Sequence, residues 1–230
     1  MFPARNQHRR YGQASPMWFT MVLMNTDACR RHRVEELSRL EADYRHCQRC
    51  ELWRSRTQIV FGLGAPWAPV LLLAERPGRH DDLTGRPFSG PSGDLLDRIL
   101  AAPGVGIPKS DVYIMNMVLC RPPRDRSPRA TEIKACQDRL HRHMAIIQPR
   151  LIVALGRLPM IYFLGLRGKL EQRRGWYETL VRGQRVPVFL TFNPASALYG
   201  QAWEIKHKKR LMYEDWKQIG ARYRAMTGRR

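Results

Sequence analysis

Four short apolar runs constrain the fold of this chain more than any other feature: PVLLLAE (69–75), DVYIMNMV (111–118), RLIVALG (150–156) and VPVFLTF (186–192). Each is too short for a buried helix. Each is also too continuously apolar for a strand with one wet face, so each reads as a strand buried on both sides. Helical spacing lies before, between and after them. It predicts helices over 33–46, over 92–102 with Ser92 as N-cap, over 131–147 with Thr131 as cap, a short one over 157–165, and a long amphipathic one over 202–226. Strands alternating with helices predict an α/β fold with a parallel sheet covered on both faces. Residues 33–226 form one domain in this reading. Residues 1–32 read as a poorly ordered basic extension.

In a sheet of this kind ligands bind beyond the carboxyl ends of the strands. That rule selects the loops 75–91, 116–128, 156–158 and 192–200. The first, ERPGRHDDLTGRPFSGP, carries Glu75, Asp81 and Asp82, places Phe88 in polar surroundings, and leads into Ser92 at a helix start, where backbone N–H groups suit a phosphate. A loop this long in a compact domain is more often functional than filler. The second places Arg121, Arg124, Arg126 and Arg129 among Pro122, Pro123 and Pro128 after Asn116. Prolines stiffen such a loop, and arginines suit a phosphate backbone. The fourth, NPASAL, runs from Asn193 through Ser196 to Leu198.

Charge supports a polyanionic partner. Forty Lys and Arg face twenty Asp and Glu, a formal net charge of +20, and such a field favours nucleic acid first. No apolar run is long enough to span a bilayer, and the start lacks a convincing signal peptide. The expectation is therefore a cytoplasmic protein, nucleoid-associated through DNA, that works as a monomer. In a reducing compartment clustered cysteines serve better as ligands or catalytic groups than as disulfides. Cys47-x-x-Cys50, then Cys120, then Cys136 give four thiols, with Cys29 left over. Four thiolates suit zinc or an iron–sulfur cluster. A single close pair fits the usual zinc spacing less well. A thioredoxin-like motif fits poorly, because the pair follows a helix and precedes the first strand. Cys120 and Cys136 as plain core thiols stay open on spacing alone.

Taken in order, these motifs resemble the family 4 uracil-DNA glycosylases, the iron–sulfur branch of that superfamily, over about residues 44–220. The family's GEAPG, paired acids and G-x-P-F-x-G correspond to AERPGRHDDLTGRPFSG; its N-x-V-x-C-R-P-P is intact from Asn116 to Pro123; its His-Pro-Ser or His-Pro-Ala corresponds to Asn193-Pro194-Ala195. The resemblance implies a three-layer α/β/α sandwich with a four-stranded parallel sheet. It implies a 4Fe-4S cluster on Cys47, Cys50, Cys120 and Cys136, with zinc as the less favoured alternative. It implies excision of uracil from single- or double-stranded DNA to leave an abasic site. Phe88 would stack on a flipped base and Asn116 would read it. Glu75, Asp81 and Asn193 would serve the chemistry. Ser92, Arg121, Arg124, Arg126, Ser196 and Leu198 would meet the DNA backbone or wedge the duplex. Asn193 departs from the family's His; Ala74, Arg76 and Asp125 are further departures. These departures motivate a second expectation: a non-catalytic or altered-specificity nucleic-acid-binding member of the same fold.

Overall fold

The computed structural model describes residues 16–229. Its elements in chain order are α1 (Pro16–Tyr44), β1 (Val70–Ala74), α2 (Arg79–Thr84), α3 (Pro91–Ala101), β2 (Val112–Asn116), α4 (Ala130–Ile147), β3 (Leu151–Leu155), α5 (Leu170–Arg173), β4 (Gly175–Val181), β5 (Gln184–Thr191) and α6 (Ala202–Thr227). The sheet order is β2-β1-β3-β5-β4. The four apolar runs are the parallel strands β2, β1, β3 and β5.

The parallel strands are apolar throughout because both faces are covered. Leu71 and Leu73 of β1, Met115 of β2, Ile152 and Ala154 of β3, and Val188 and Leu190 of β5 pack with Leu40 of α1 and Leu140 and Met144 of α4. The intervening residues Val70, Leu72, Val112, Ile114, Leu151 and Val153 pack on the other side with Leu96 and Leu100 of α3 and Met212, Trp216 and Ile219 of α6. Period-2 alternation thus sends successive side chains into two separate cores. Leu72 is fully buried, and trimming it to Ala would cost about 2–5 kcal/mol.

The structure corrects the sequence reading in four places. The sheet has five strands rather than four: β4 pairs antiparallel with β5 from Gly175↔Leu190 to Val181↔Gln184. The two residues between them, Arg182 (φ 51) and Gly183 (φ 77), both have positive φ, as a tight hairpin turn matched to strand twist requires. Second, the helix expected from residue 33 begins at Pro16, so residues 16–32 belong to it; residues 1–15 of the expected extension lie outside the described residues. Third, the caps are displaced. Gly90 precedes α3 with Pro91 at its first position, so Ser92 lies inside the first turn. Arg129 rather than Thr131 precedes α4, where the Glu132 carboxylate accepts from the Arg129 N–H at 2.7 Å. Fourth, the short helix after β3 is a single wide turn, Pro159–Phe163. Among the described residues no helix is long and apolar enough to cross a membrane.

Candidate active site

A cleft of about 860 Å³ opens at the carboxyl ends of the parallel strands. It brings together Glu75, Asp81, Phe88, Ser92, Asn193, Ser196 and Leu198, as the sequence led one to expect, and adds Arg76, Asp125 and Arg157. Asn116, Arg121, Arg124 and Arg126 lie outside its lining.

Asn116 ends β2, in register with Ala74 of β1 and so next to Glu75. Its side chain is buried, and neither the amide oxygen nor the amide nitrogen has a hydrogen-bond partner. Buried polar groups are almost always paired, so an amide with both ends free needs a specific explanation. Phe88 carries a second anomaly, a left-handed backbone with φ of 54. That conformation costs an ordinary L-residue about 1–2 kcal/mol, and such strain gathers at functional sites. Asp81 holds it in place. One carboxylate oxygen accepts from the Gly78 N–H at 3.0 Å; the other accepts from the Ser89 N–H at 2.9 Å and the Ser89 hydroxyl at 3.1 Å. With both oxygens so engaged, Asp81 shapes the loop that presents Phe88. Asp82 is also structural, accepting from the Thr57 N–H at 2.9 Å.

Glu75 is oriented by a feature that sequence reading left without a role. The loop after β3 donates the N–H of Arg157 (2.5 Å) and of Leu158 (3.1 Å) to Oε1 of Glu75. Gly156 makes room for this contact. Its φ is +101, and a Cβ there would collide with the Glu75 carboxylate. A glycine directly after a buried strand, LIVALG, was the available signal. Asn193 is similarly fixed. Its Oδ1 accepts from the Ala195 N–H at 3.0 Å, which leaves its amide N–H groups as the free donors. The Ser196 hydroxyl donates back to the Asn193 carbonyl at 2.8 Å, so Ser196 supports the turn.

The arginine loop is organised from within. Asp125 accepts from Arg121 in bidentate fashion, at 2.9 and 2.6 Å, and from Arg76 at 3.0 Å. Arg76 also donates to the Asp125 carbonyl at 2.7 Å. The Arg121 hydrogen bond, with both guanidinium charges nearby, holds the Asp125 carboxyl below its ordinary range. Arg126 grips the buried Glu132 through two bonds of 2.8 and 2.6 Å. Arg121 and Arg126 are thus committed to carboxylates. Exposed Arg124 and Arg129 have no carboxylate partner among the described residues. Arg124 and Asp125 both adopt positive φ, 53 and 56, a kink that the clasp on Asp125 keeps in place.

All five cysteines are free thiols, and Cys29 is exposed. Cys120 and Cys136 are buried in the core shared with α1 and α4, and Cys47 and Cys50 pack against it. Burial raises the Cys50 pKa first, with further contributions from Cys136 and Cys47. Burial pushes Cys120 up to about 11 against the pull of Arg56, with Cys136 and Cys50 also acting on it. Arg56 donates to the Cys120 sulfur at 3.3 Å and to the Cys47 carbonyl at 2.7 Å, bridging the near and far halves of the set. Among the described residues no three His, Cys, Asp or Glu side chains are arranged to hold a single metal ion.

Fold and site together define an α/β enzyme with a cleft at the strand ends that carries an aromatic ring and a fixed carboxylate, next to an unpaired buried amide at the end of β2. A family model described as the uracil DNA glycosylase superfamily matches residues 61–217. The chain is 34% identical to a type-4 uracil-DNA glycosylase of Saccharolobus solfataricus over 81% of its own length and 86% of the relative's. It is 34% identical to one of Archaeoglobus fulgidus, covering 81% and 93%, and 36% identical to one of Thermotoga maritima, covering 79% and 92%. The chain belongs to the uracil-DNA glycosylase superfamily.

Proposed function

We infer that this protein is a DNA repair hydrolase that excises uracil from DNA and leaves an abasic site. The observation that carries this is the unpaired Asn116 amide. It offers a donor and an acceptor side by side, complementary to the O4 acceptor and N3–H donor of uracil, whereas cytosine presents the reverse. A base inside a duplex must leave the stack to reach such a pocket, and the Phe88 ring supplies a face to receive it.

As the glycosidic bond breaks, charge separates into a uracil anion and a cationic sugar. Asn193, with its oxygen engaged by Ala195, has amide hydrogens to offer the anion. It is neutral, so this donation needs no proton on a titrating group. Glu75, held by the Arg157 and Leu158 N–H groups, supplies a fixed negative charge for the sugar or for the attacking water. Fixed dipoles of this sort stabilise the transition state without reorganising.

The four thiols suit a 4Fe-4S cluster. Cys120 and Cys136 are buried in one region of the core and Cys47 and Cys50 pack against it, and Arg56 donates to the Cys120 sulfur. Such a cluster would tie the α1 side of the domain to both ends of the arginine loop and would serve structure rather than bond cleavage. We take the working form to be a monomer on DNA in the cytoplasm. Arg124 and Arg129 are the loop cations available for phosphates; Ser92 and Leu198 line the cleft where a strand would pass.

The test is base release from single- and double-stranded oligonucleotides carrying uracil, hypoxanthine or xanthine, alongside iron, sulfide and zinc analysis of anaerobically purified protein. Uracil release with iron and sulfide present is the expected result. Tight, salt-sensitive binding without release of any base would instead identify a non-catalytic member. Zinc without iron would remove the cluster.

A further inference from the structure

At the lip of the cleft the surface carries two rings that neither the fold nor the excision chemistry uses. Tyr199 and Trp203 are the most exposed large apolar side chains among the described residues, at 72% and 70%. Neither packs in either core. Among the described residues neither stacks on another ring or lies beneath a cation of the chain. Exposed apolar groups of this size, two within five residues, call for an explanation.

Both rings stand on ordered backbone. Tyr199 lines the cleft directly after Leu198, at the end of the Pro194–Ala197 turn, where the Leu198 N–H donates to the Ala195 carbonyl at 3.3 Å. Trp203 lies in the first turn of α6, which the Ile205 N–H closes by donating to the Gln201 carbonyl at 3.0 Å. Lys206 and Arg210 follow Trp203 at helical spacing, so the three share one face of α6, and all three are exposed. From the same helix Lys208 reaches the cleft lining, which also includes Arg157. Among the described residues Arg157, Lys206, Lys208 and Arg210 have no carboxylate within ion-pair reach. Between Tyr199 and Tyr213 the chain has one acid, Glu204.

Rings interleaved with unpaired cations, continuous with the cleft, suit a nucleic-acid strand. The cations meet phosphates, and the rings offer faces on which any base can stack. A base can use such a face only when it has left its own neighbours. In a duplex the flipped nucleotide alone meets that condition, and Phe88 receives it in the reading above. Two more rings outside the pocket have work only if the adjacent bases are unpaired as well.

We propose that Tyr199 and Trp203 form a stacking platform for unpaired bases beside the excised one, which makes single-stranded DNA the preferred substrate. The proposal deepens the uracil-excision reading and rests on it for the place of the flipped base.

The test measures affinity by fluorescence anisotropy on single-stranded and duplex oligonucleotides, each carrying one uracil or thymine in its place. Excision rates are read on the uracil pair. Wild type should bind and cleave the single strand better than the duplex. Tyr199→Ala and Trp203→Ala should each lose about 5–150-fold in affinity for the single strand, with little change on the duplex. Their thermal midpoints should stay at the wild-type value, because neither ring packs in a core. Tyr199→Phe and Trp203→Phe keep a ring and should keep the affinity. A further single strand has abasic sites on both sides of its uracil. It offers no base to stack, so the Ala substitutions should cost nothing on it, as a double-mutant cycle requires of two partners that interact only with each other. Wild type alone should also bind that strand more weakly, which keeps the test usable if an Ala variant folds badly. Unchanged single-strand affinity, an equal loss on both strand forms, or a loss that persists beside abasic sites would overturn the proposal. Absence of uracil release by wild type, with ring-dependent binding of the thymine strand intact, would sink the excision reading and leave the platform standing.

Discussion

Replacing Asn116 by Leu should produce two effects of opposite sign. In the free protein both polar atoms of the Asn116 amide are buried and unpaired. Each such group costs about 1–3 kcal/mol, so the pair costs the fold about 2–6 kcal/mol. Leucine is of comparable size. An imperfect fit would return about 1.5 kcal/mol of that gain. The backbone should stay in place, because Arg139 holds the Asn116 carbonyl. The variant should therefore be more stable by about 0.5–4.5 kcal/mol, and each kcal/mol should raise the melting midpoint by roughly 2–4 °C in a domain of this size. The same substitution removes both hydrogen bonds proposed to the base. Losing even one donor from a preorganised site costs about 10²–10³ in rate, so uracil release should fall by about 10² or more. Denaturant unfolding and a gel assay for abasic-site formation read the two effects on one preparation. A variant that is less stable than wild type and still releases uracil at a normal rate would refute the reasoning: the amide would then be an ordinary core group.

Gly156→Ala should strain a backbone with φ of +101 by about 1–2 kcal/mol and push the Glu75 carboxylate aside; single-turnover kinetics should show slower cleavage with substrate binding preserved. Asp81→Ala leaves the Gly78 N–H, the Ser89 N–H and the Ser89 hydroxyl without their acceptor, so the Phe88 loop should loosen, seen as a raised KM with a smaller change in kcat. Glu132 sits below the ordinary carboxylate range because of the Arg126 hydrogen bond. Its contribution to stability is thus complete above the unfolded value of about 4.3 and is lost as pH falls through the lower folded value; Glu132→Gln should flatten the acid limb of stability against pH.

The parallel strands were legible because burial on both faces leaves a run such as Leu71-Leu72-Leu73 with no polar position. The β4 edge was not. Gly175–Val181 buries only its last residue, and its sequence, GWYETLV, alternates without apolar continuity. The site was legible in its placing, with Glu75, Phe88 and Asn193 lining the cleft and Asn116 ending β2. It was hidden where pairing decides the role. Arg121 and Arg126 look equivalent to Arg124 in the sequence, yet Asp125 and Glu132, a few positions further on, claim them and leave Arg124 without a carboxylate. The three donors to Asp81 could not be read from the sequence. Asn193 could be recognised as a departure from His, but which end of its amide faces the cleft depends on the Ala195 N–H.

The strand order has a consequence for how such a site can change. Along the sheet edge run Asn116 on β2, Glu75 on β1, the Gly156 loop on β3 and Asn193 on β5. The residues proposed for base reading and anion donation sit on strand ends at opposite sides of the row, each replaceable without disturbing the other. An Asn in place of a His at 193 is a change of this modular kind. The carboxylate is the exception. It rides on β1 but is gripped by the loop of β3, so it inherits the shear between two strands. Variation should therefore be tolerated at the flanks of the row and resisted at its centre.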